Sequence, residues 1–206
     1  MLNIKHLEDF EITKLFNIIH DKRDKALFTL ILHYGLRVSE AQKLKVDSIR
    51  FQDKRINIIA SKNGQSGEQF LSKESITVLK AWLKLKDENY KLAIEKNRTL
   101  PRSKQLILSD QEYIFTSKKG GVISTVQIFR LFRKYCLKCK IPIEKAHPHA
   151  LRHTIAMIMS EKGCSIEETG AHLRHSNISS TKVYYGVTER RRLKMQESLL
   201  EDLKLF

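Results

Sequence analysis

The chain has 206 residues, and its 38 Lys and Arg outnumber its 23 Asp and Glu, which gives a formal net charge of +15. Such an excess favours a polyanionic partner, above all nucleic acid. Hydrophobic residues make up 41% of the chain, which predicts a globular protein with a buried core rather than a disordered one. No apolar run has the length of a membrane-spanning helix, and the N-terminal MLNIKHLEDFEI lacks the layout of a signal peptide. We therefore expect no membrane attachment.

The three cysteines indicate a reducing compartment, because an odd and sparse count does not suit a disulfide framework. Cys136 and Cys139 form a C-x-x-C pair within KYCLKCK, while Cys164 stands alone. Apolar neighbours of the pair recur at helical spacing, which predicts core thiols on a helix. A zinc or redox role would need a second pair or a strand–helix context, and the sequence offers neither.

Local signals predict helices along most of the chain. Apolar residues recur at helical spacing over 12–19 and 27–34, and Gly35 is suited to end the second helix. Ser39 and Gln42 resemble a capping box, which predicts a short third helix starting there. Further helices are expected over 73–97, from Ser124, from Pro148 to Gly163, after the capping pair Ser165 and Glu168, and from about residue 189 onward.

Residues 49–71 interrupt this helical pattern. Ile56, Ile58 and Ile59 are β-branched, and Asn63-Gly64 is typical of a reverse turn, so the segment predicts a small antiparallel sheet. A short strand or strand pair, broken at Gly120-Gly121, is expected before the helix that follows. The predicted fold class is mainly α with a small antiparallel β-sheet, in one compact unit.

Four segments carry polar residues that a hydrophobic core does not need. They are HYGLRVSE with Arg37, SKNG with Lys62, HPHALRHT with His149 and Arg152, and LRHSNISSTKVYY with His175, Tyr184 and Tyr185. Taken singly, each has an ordinary explanation, such as helix capping, a solvated turn or core packing. Together they suit phosphoryl transfer: guanidiniums bind a phosphodiester, histidines move a proton, a phenol attacks phosphorus and an ammonium protonates the leaving oxygen.

Three of these segments resemble the sequence boxes of the tyrosine recombinases, the phage integrase family. The three boxes are GLRVSE at 35–40, HALRHT at 149–154 and LRHSNISSTKVY at 173–184. They occur in the family's order, with 23 residues from Arg152 to His175 and nine more to Tyr184. The resemblance covers about residues 7–187. It implies a site-specific recombinase or integrase that cuts and rejoins DNA through a 3′-phosphotyrosyl intermediate, with neither metal nor ATP.

The resemblance implies six catalytic residues, which are Arg37, Lys62, His149, Arg152, His175 and Tyr184. The two arginines would bind the scissile phosphate, and the histidine of the last box would hydrogen-bond a phosphate oxygen. The lysine would protonate the 5′-oxygen, and the histidine of the middle box would accept a proton or orient the phosphate. The tyrosine would be the nucleophile.

Tyr185 and Arg174 lie next to the implied catalytic residues, and we state a separate expectation for each. Tyr185 comes one residue after the nucleophile's register, and one helical step turns a side chain by about 100°, so the two hydroxyls are not interchangeable. Arg174 stands where the family usually has Gly before the final histidine. If the backbone there is left-handed, a non-Gly residue carries a strain cost. The alternatives are that the helix ends differently or that Arg174 contacts a DNA phosphate.

The resemblance also implies partners and organisation. We expect residues 1–206 to form a single catalytic domain, without the N-terminal helical domain that most family members close around the duplex. The implied partners are double-stranded DNA and further copies of the chain, from dimer to tetramer, in the cytoplasm. Residues 188–206 should form a C-terminal helix with an apolar stripe that either packs on its own domain or docks on a neighbouring subunit.

Three other interpretations remain open at this point. A metal-dependent nickase of the His–hydrophobe–His class would use His147, His149 and the paired tyrosines, but it needs the histidines on a strand, which Pro148 disfavours. A catalytically inactive DNA-binding accessory protein would keep the fold and lose the chemistry. A zinc site could draw on the following residues: His149, His153, Cys164, His172 and His175.

Overall fold

The computed structural model describes residues 4–60 and 65–202, apart from some side chains near the end of the last helix. Within these ranges lie eight α-helices. They are α1 (Asp9–Ile18), α2 (Lys22–Tyr34), α3 (Val38–Gln42), α4 (Lys73–Thr99), α5 (Thr125–Lys138), α6 (His149–Glu161), α7 (Ile166–Leu173) and α8 (Ser179–Asp202). In these ranges no helix is long and apolar enough to cross a membrane.

A three-stranded antiparallel sheet lies between α3 and α4, as the sequence predicts. Its strands are β1 (Ile49–Arg50), β2 (Arg55–Ile58) and β3 (Gly67–Phe70), in the order β1-β2-β3. In β2, Ile56 and Ile58 face the core, and the intervening residue is exposed, which is the alternation of a half-buried strand. The Asn63-Gly64 turn expected between β2 and β3 falls outside the described residues.

Helix α2 is the centre of the core, because it packs against both α4 and α6. Its side chains Leu27, Phe28 and Leu30 are fully buried, and Phe28 meets the ring of Phe132 from α5 edge to face. This packing holds the C-terminal end of α2 next to α6 and α7. The three chain segments that carry the polar boxes therefore meet at one place.

Several helix ends follow from local chemistry as predicted. Gly35 ends α2 with a left-handed φ of 53°, and a Cβ there would lie 2.4 Å from Leu173. The side chains of Ser124 and Ser165 accept hydrogen bonds at the starts of α5 and α7. Cys136 and Cys139 are buried thiols at the end of α5, which confirms their core role.

Three expectations about the elements were wrong. The capping residue of α3 is Arg37 rather than Ser39, because the Glu40 carboxylate accepts the Arg37 backbone N–H. Around Gly120-Gly121 the described chain forms only two isolated bridges, between Thr116 and Val122 and between Tyr113 and Lys45, instead of a regular strand.

The last helix begins at Ser179, ten residues before the predicted start near 189. The Ser/Thr-rich segment 176–182 lacks a helical apolar pattern, but Asn177 accepts the Ser179 N–H, and the next turns pack on α6 and α7. Both tyrosines therefore lie on α8. The apolar stripe expected after 188 includes Met195 and Leu199, whose side chains are outside the description, as are residues 203–206.

Candidate active site

Arg37 lies between α2 and α3 and is held by a buried carboxylate. Its Nη1 donates to Glu40 Oε1 at 2.7 Å, and its backbone N–H donates to Glu40 Oε2 at 2.9 Å. The Glu40 side chain is fully buried, whereas 24% of the Arg37 side chain remains exposed. The guanidinium is thus fixed on one side and open to solvent on the other, which suits the binding of an external anion.

Arg152 is buried on α6 and is oriented by backbone carbonyls. It donates through Nη1 to the carbonyl of Gly35 and through Nη2 to the carbonyl of Leu173, the latter at 2.7 Å. Burial, and then the positive charge of Arg37, lowers the pKa of Arg152 to about 10, so the group stays charged at neutral pH. Two neighbouring guanidiniums repel each other, and an anion between them would relieve that repulsion.

His149 is the first residue of α6, and its ring packs near Phe129 with 6.4 Å between the centroids. Partial dehydration, followed by the positive charge of Arg152, lowers the pKa of His149. At neutral pH the imidazole is therefore uncharged and lies within electrostatic range of both arginines. It can either accept a proton or donate a hydrogen bond to a phosphate oxygen.

His175 follows α7 and pairs with the start of α8. Its Nδ1 lies 2.8 Å from Thr181 Oγ1, and Thr181 is fully buried. Burial and then the charge of Arg152 lower the His175 pKa to about 4. If the threonine hydroxyl donates to Nδ1, the neutral ring carries its proton on Nε2, which is the tautomer needed to donate to a phosphate oxygen.

Tyr184 is the less exposed of the two tyrosines, with 3% of its surface accessible. Its Oη lies 2.8 Å from Nδ1 of His153 on α6. Burial raises the Tyr184 pKa, and the charge of Arg152 lowers it in part, so the phenol is protonated at neutral pH. The phenol, an imidazole and a guanidinium are thus neighbours.

Tyr185 points to a different part of the fold. Its hydroxyl donates to the carbonyls of Cys164 and Ser165 at 2.5 and 2.6 Å, and it also lies 2.7 Å from Thr169 Oγ1. These contacts tie α8 to the start of α7. The two adjacent phenols therefore have separate surroundings, and Tyr185 lies in a structural contact.

Three residues of the site were missed by sequence reasoning. Glu40 was not considered, although the R-x-x-E spacing puts its carboxylate on the same short helix as Arg37. His153 was considered only as a zinc ligand, and no sequence signal linked it to Tyr184, which is 31 residues away. Arg174 was expected on DNA or at an irregular helix end, yet its side chain is buried against Glu40.

Lys62 falls in residues 61–64, outside the described residues, so its role stays a prediction. The flanking hairpin does approach the site: the Gln65 N–H donates to the Arg174 carbonyl at 3.4 Å, and Gln69 Nε2 donates to the His172 carbonyl at 2.7 Å.

The histidines fit neither metal-based alternative. His149 begins a helix instead of lying on a strand, which removes the arrangement that a nickase of the His–hydrophobe–His class requires. Within 4–60 and 65–202, no three His, Cys, Asp or Glu side chains are grouped so that they could hold a metal ion.

The family model described as "Phage integrase family" matches residues 5–191 of this chain. The chain belongs to the phage integrase family. A relative named tyrosine recombinase from Pseudothermotoga lettingae is 33% identical over 93% of the chain, and tyrosine recombinase XerA from Pyrococcus horikoshii is 28% identical over 89%. The chain spans only 59% and 57% of these relatives, so it is similar to part of each.

Solved structures of a recombinase and of an integrase share the fold. The crystal structure of XerA recombinase is similar with a TM-score of 0.74 and 23% identity, covering 93% of this chain and 64% of XerA. The catalytic domain of bacteriophage HP1 integrase is similar with a TM-score of 0.58 and 19% identity, over 88% of this chain and 87% of that domain. The predicted fold class is thereby confirmed.

Proposed function

We propose that this integrase-family chain cleaves and rejoins DNA strands at specific sites through a covalent bond to Tyr184. The observation that carries the proposal is the meeting of a buried tyrosine and two arginines from separate parts of the sequence. The Tyr184 hydroxyl contacts His153 on α6. Arg152, the preceding residue on the same helix, is a neighbour of Arg37. The family assignment supports the same chemistry.

In the proposed reaction, Tyr184 Oη attacks the scissile phosphorus while the bond to the 5′-oxygen breaks. Arg37 and Arg152 bind the non-bridging oxygens and stabilise the charge that builds up on them. His175 donates a hydrogen bond to the phosphate. The products are a 3′-phosphotyrosyl bond and a free 5′-hydroxyl, and attack by another 5′-hydroxyl reverses the step and joins a new strand.

Two protons must move during cleavage. The phenolic proton leaves Tyr184, and His153 is the nearest acceptor, with His149 as the second candidate. Burial lowers the His153 pKa to about 4, which keeps the ring neutral, and the negative phosphate of bound DNA would raise that pKa as the proton arrives. The 5′-oxygen takes up a proton from a general acid, for which Lys62 remains our candidate.

The proposed partner is double-stranded DNA, in a reducing compartment such as the cytoplasm. The similar structures include a XerH recombinase bound to a difH substrate and a Tn1549 transposon integrase in complex with transposon DNA. The net charge of +15 suits such a partner. We further propose that two to four copies assemble on DNA and that the C-terminal helix after residue 188 contributes to their contacts.

A suicide substrate tests the proposal directly. A DNA duplex nicked close to the cleavage point loses its short fragment after attack, so the covalent adduct accumulates and peptide mapping identifies the tyrosine. We expect the protein on the 3′-phosphate through Tyr184, in the presence of EDTA. Tyr184→Phe should form no adduct and still bind DNA, because only the attacking oxygen is lost.

Tyr185→Phe is the matched control, since it removes a neighbouring phenol that has a structural contact. It should form the adduct. A 5′-linked adduct that requires a metal ion would support the nickase alternative. An adduct that persists in Tyr184→Phe would refute the assignment of the nucleophile, and DNA binding with no adduct in any variant would support the inactive accessory protein.

A further inference from the structure

Arg174 combines two unfavourable features. Its backbone is left-handed, with φ 57° and ψ 43°, a conformation that is strained in a non-Gly residue. Its guanidinium is also buried, with 2% of the side chain exposed. Burying a charge is costly unless partners compensate for it. Since the strained backbone and the buried charge are both unfavourable, we look for side-chain contacts of Arg174 that offset them.

The first such contact is with Glu40. Arg174 Nη2 donates to Glu40 Oε2 at 3.0 Å, the same oxygen that accepts the Arg37 backbone N–H. Burial alone raises the pKa of a carboxyl group, but the Arg37 N–H and the charge of Arg174 outweigh it, and the pKa of Glu40 is lowered. The carboxylate is therefore shared between two guanidiniums.

The second contact is with the end of α2. Arg174 Nη2 also approaches the Gly35 carbonyl at 3.3 Å, and Nη1 donates to the Tyr34 carbonyl at 3.0 Å. The Gly35 carbonyl is also the acceptor for Arg152 Nη1. Arg174 thus shares one acceptor with each of the two arginines that would bind the phosphate.

We propose that Arg174 is a positioning residue that keeps Arg37 and Arg152 available to the scissile phosphate; this inference rests on the proposed function. A carboxylate that faces a single arginine binds it bidentately and neutralises its charge. Because Arg174 occupies Glu40 Oε2, the Arg37 side chain contacts Oε1 through Nη1 alone. The remaining N–H groups and an uncompensated positive charge are left for the phosphate.

Arg174→Gly tests this inference, because Gly adopts a left-handed backbone without strain. We measure the rate constant of single-turnover cleavage of the suicide substrate at saturating DNA, together with DNA affinity. Cleavage should fall by roughly 10- to 100-fold, since the loss of one donor to a developing anion costs about 100- to 1000-fold and here the donor is only misdirected. DNA affinity should change by no more than about twofold, because the other phosphate contacts remain.

Two further measurements distinguish positioning from a general structural effect. The double variant Arg174→Gly/Glu40→Gln removes the carboxylate charge that would capture Arg37, so it should cleave faster than Arg174→Gly alone. A substrate with a methylphosphonate at the scissile position has one negative charge fewer, so the defect of Arg174→Gly should shrink to within about threefold.

Lys140→Gly is the matched control. Lys140 also has a left-handed φ, of 58°, but it is exposed at the end of α5. The Lys140→Gly variant should cleave the suicide substrate as fast as the unmodified protein. If Arg174→Gly does not fold, Arg174→Asn replaces it, because Asn tolerates the same backbone conformation.

Three results would overturn the inference: full-speed cleavage by the Arg174 variant, no gain in the double variant, or an equal defect on both substrates. The last two would mean that Arg174 acts through folding alone. In these cases the unmodified protein still forms its adduct, so the proposed function stands. Absence of any adduct with the unmodified protein would instead overturn both.

Discussion

At the scale of single residues, the candidate site is a group of cations and neutral imidazoles around one buried carboxylate. His153 and His175 both have pKa values lowered to about 4, in each case first by burial and then by neighbouring positively charged or histidine groups. A neutral imidazole can accept a proton or donate a hydrogen bond, whereas an imidazolium would add to the repulsion between the cations. The two half-buried histidines are thus kept in the neutral form that the proposed chemistry needs.

These lowered pKa values predict that the fold loses stability in mild acid. The unfolded chain takes up a proton on each histidine near its usual pKa of 6.5, whereas the folded chain does so near 4. The contribution of these two histidines to the free energy of unfolding is therefore fully present above pH 6.5 and is lost as the pH falls towards 4. Allowing for partial exposure, we expect each of the two histidines to contribute a loss of about 1–2 kcal/mol between pH 7 and pH 5.

Urea unfolding at the two pH values measures this loss, and His153→Gln is the comparison, because Gln does not titrate. The variant should lose less stability on acidification than the unmodified protein. An equal loss in both proteins would show that His153 titrates normally in the folded state.

At the scale of elements, the end of α2 positions the site. Gly35 adopts φ 53°, and its carbonyl accepts hydrogen bonds from both Arg152 and Arg174. The preceding turns are fixed by core packing, and the following helix α3 carries Glu40. One helix end therefore sets the positions of three guanidiniums.

Gly35→Ala should destabilise the protein for two reasons. Alanine is strained at a left-handed φ, and its Cβ would lie 2.4 Å from Leu173. We expect a loss of roughly 2–4 kcal/mol from the strain and the overlap together. Thermal or urea unfolding measures it.

Gly163→Ala is the matched control, because Gly163 also has a positive φ, of 84°, and no atom within 4 Å of an added Cβ. Gly163→Ala should be destabilised by the backbone strain alone and therefore lose less stability than Gly35→Ala. If both variants lose the same stability, the close approach of Gly35 to Leu173 does not contribute to the loss.

At the scale of the whole molecule, the net charge of +15 dominates the expected binding to DNA. Phosphate contacts release counterions, so affinity should fall steeply as salt rises. For six to ten phosphate contacts we expect a slope of roughly −5 to −9 when the logarithm of the association constant is plotted against the logarithm of the salt concentration. Tyr184→Phe should be used, since it prevents covalent capture. An affinity that is constant between low and moderate salt would argue against duplex DNA as the partner.

The sequence by itself determined what depends on neighbouring residues. Gly35 ends α2, Ser124 and Ser165 cap their helices, and the β-branched segment forms a sheet, because each involves contacts within a few positions. The spacing of the boxes likewise identified the family.

The tertiary structure alone decided the contacts between distant segments. Helix α8 begins at Ser179 because packing on α6 and α7 outweighs a weak local propensity. The partner of Tyr184 is His153, 31 residues away, and Arg174 turns inward to Glu40, 134 residues away. No local pattern encodes these pairs. They exist because the core of α2, α6 and α7 brings the segments together, and a buried charge or phenol then needs the polar partner that it meets there.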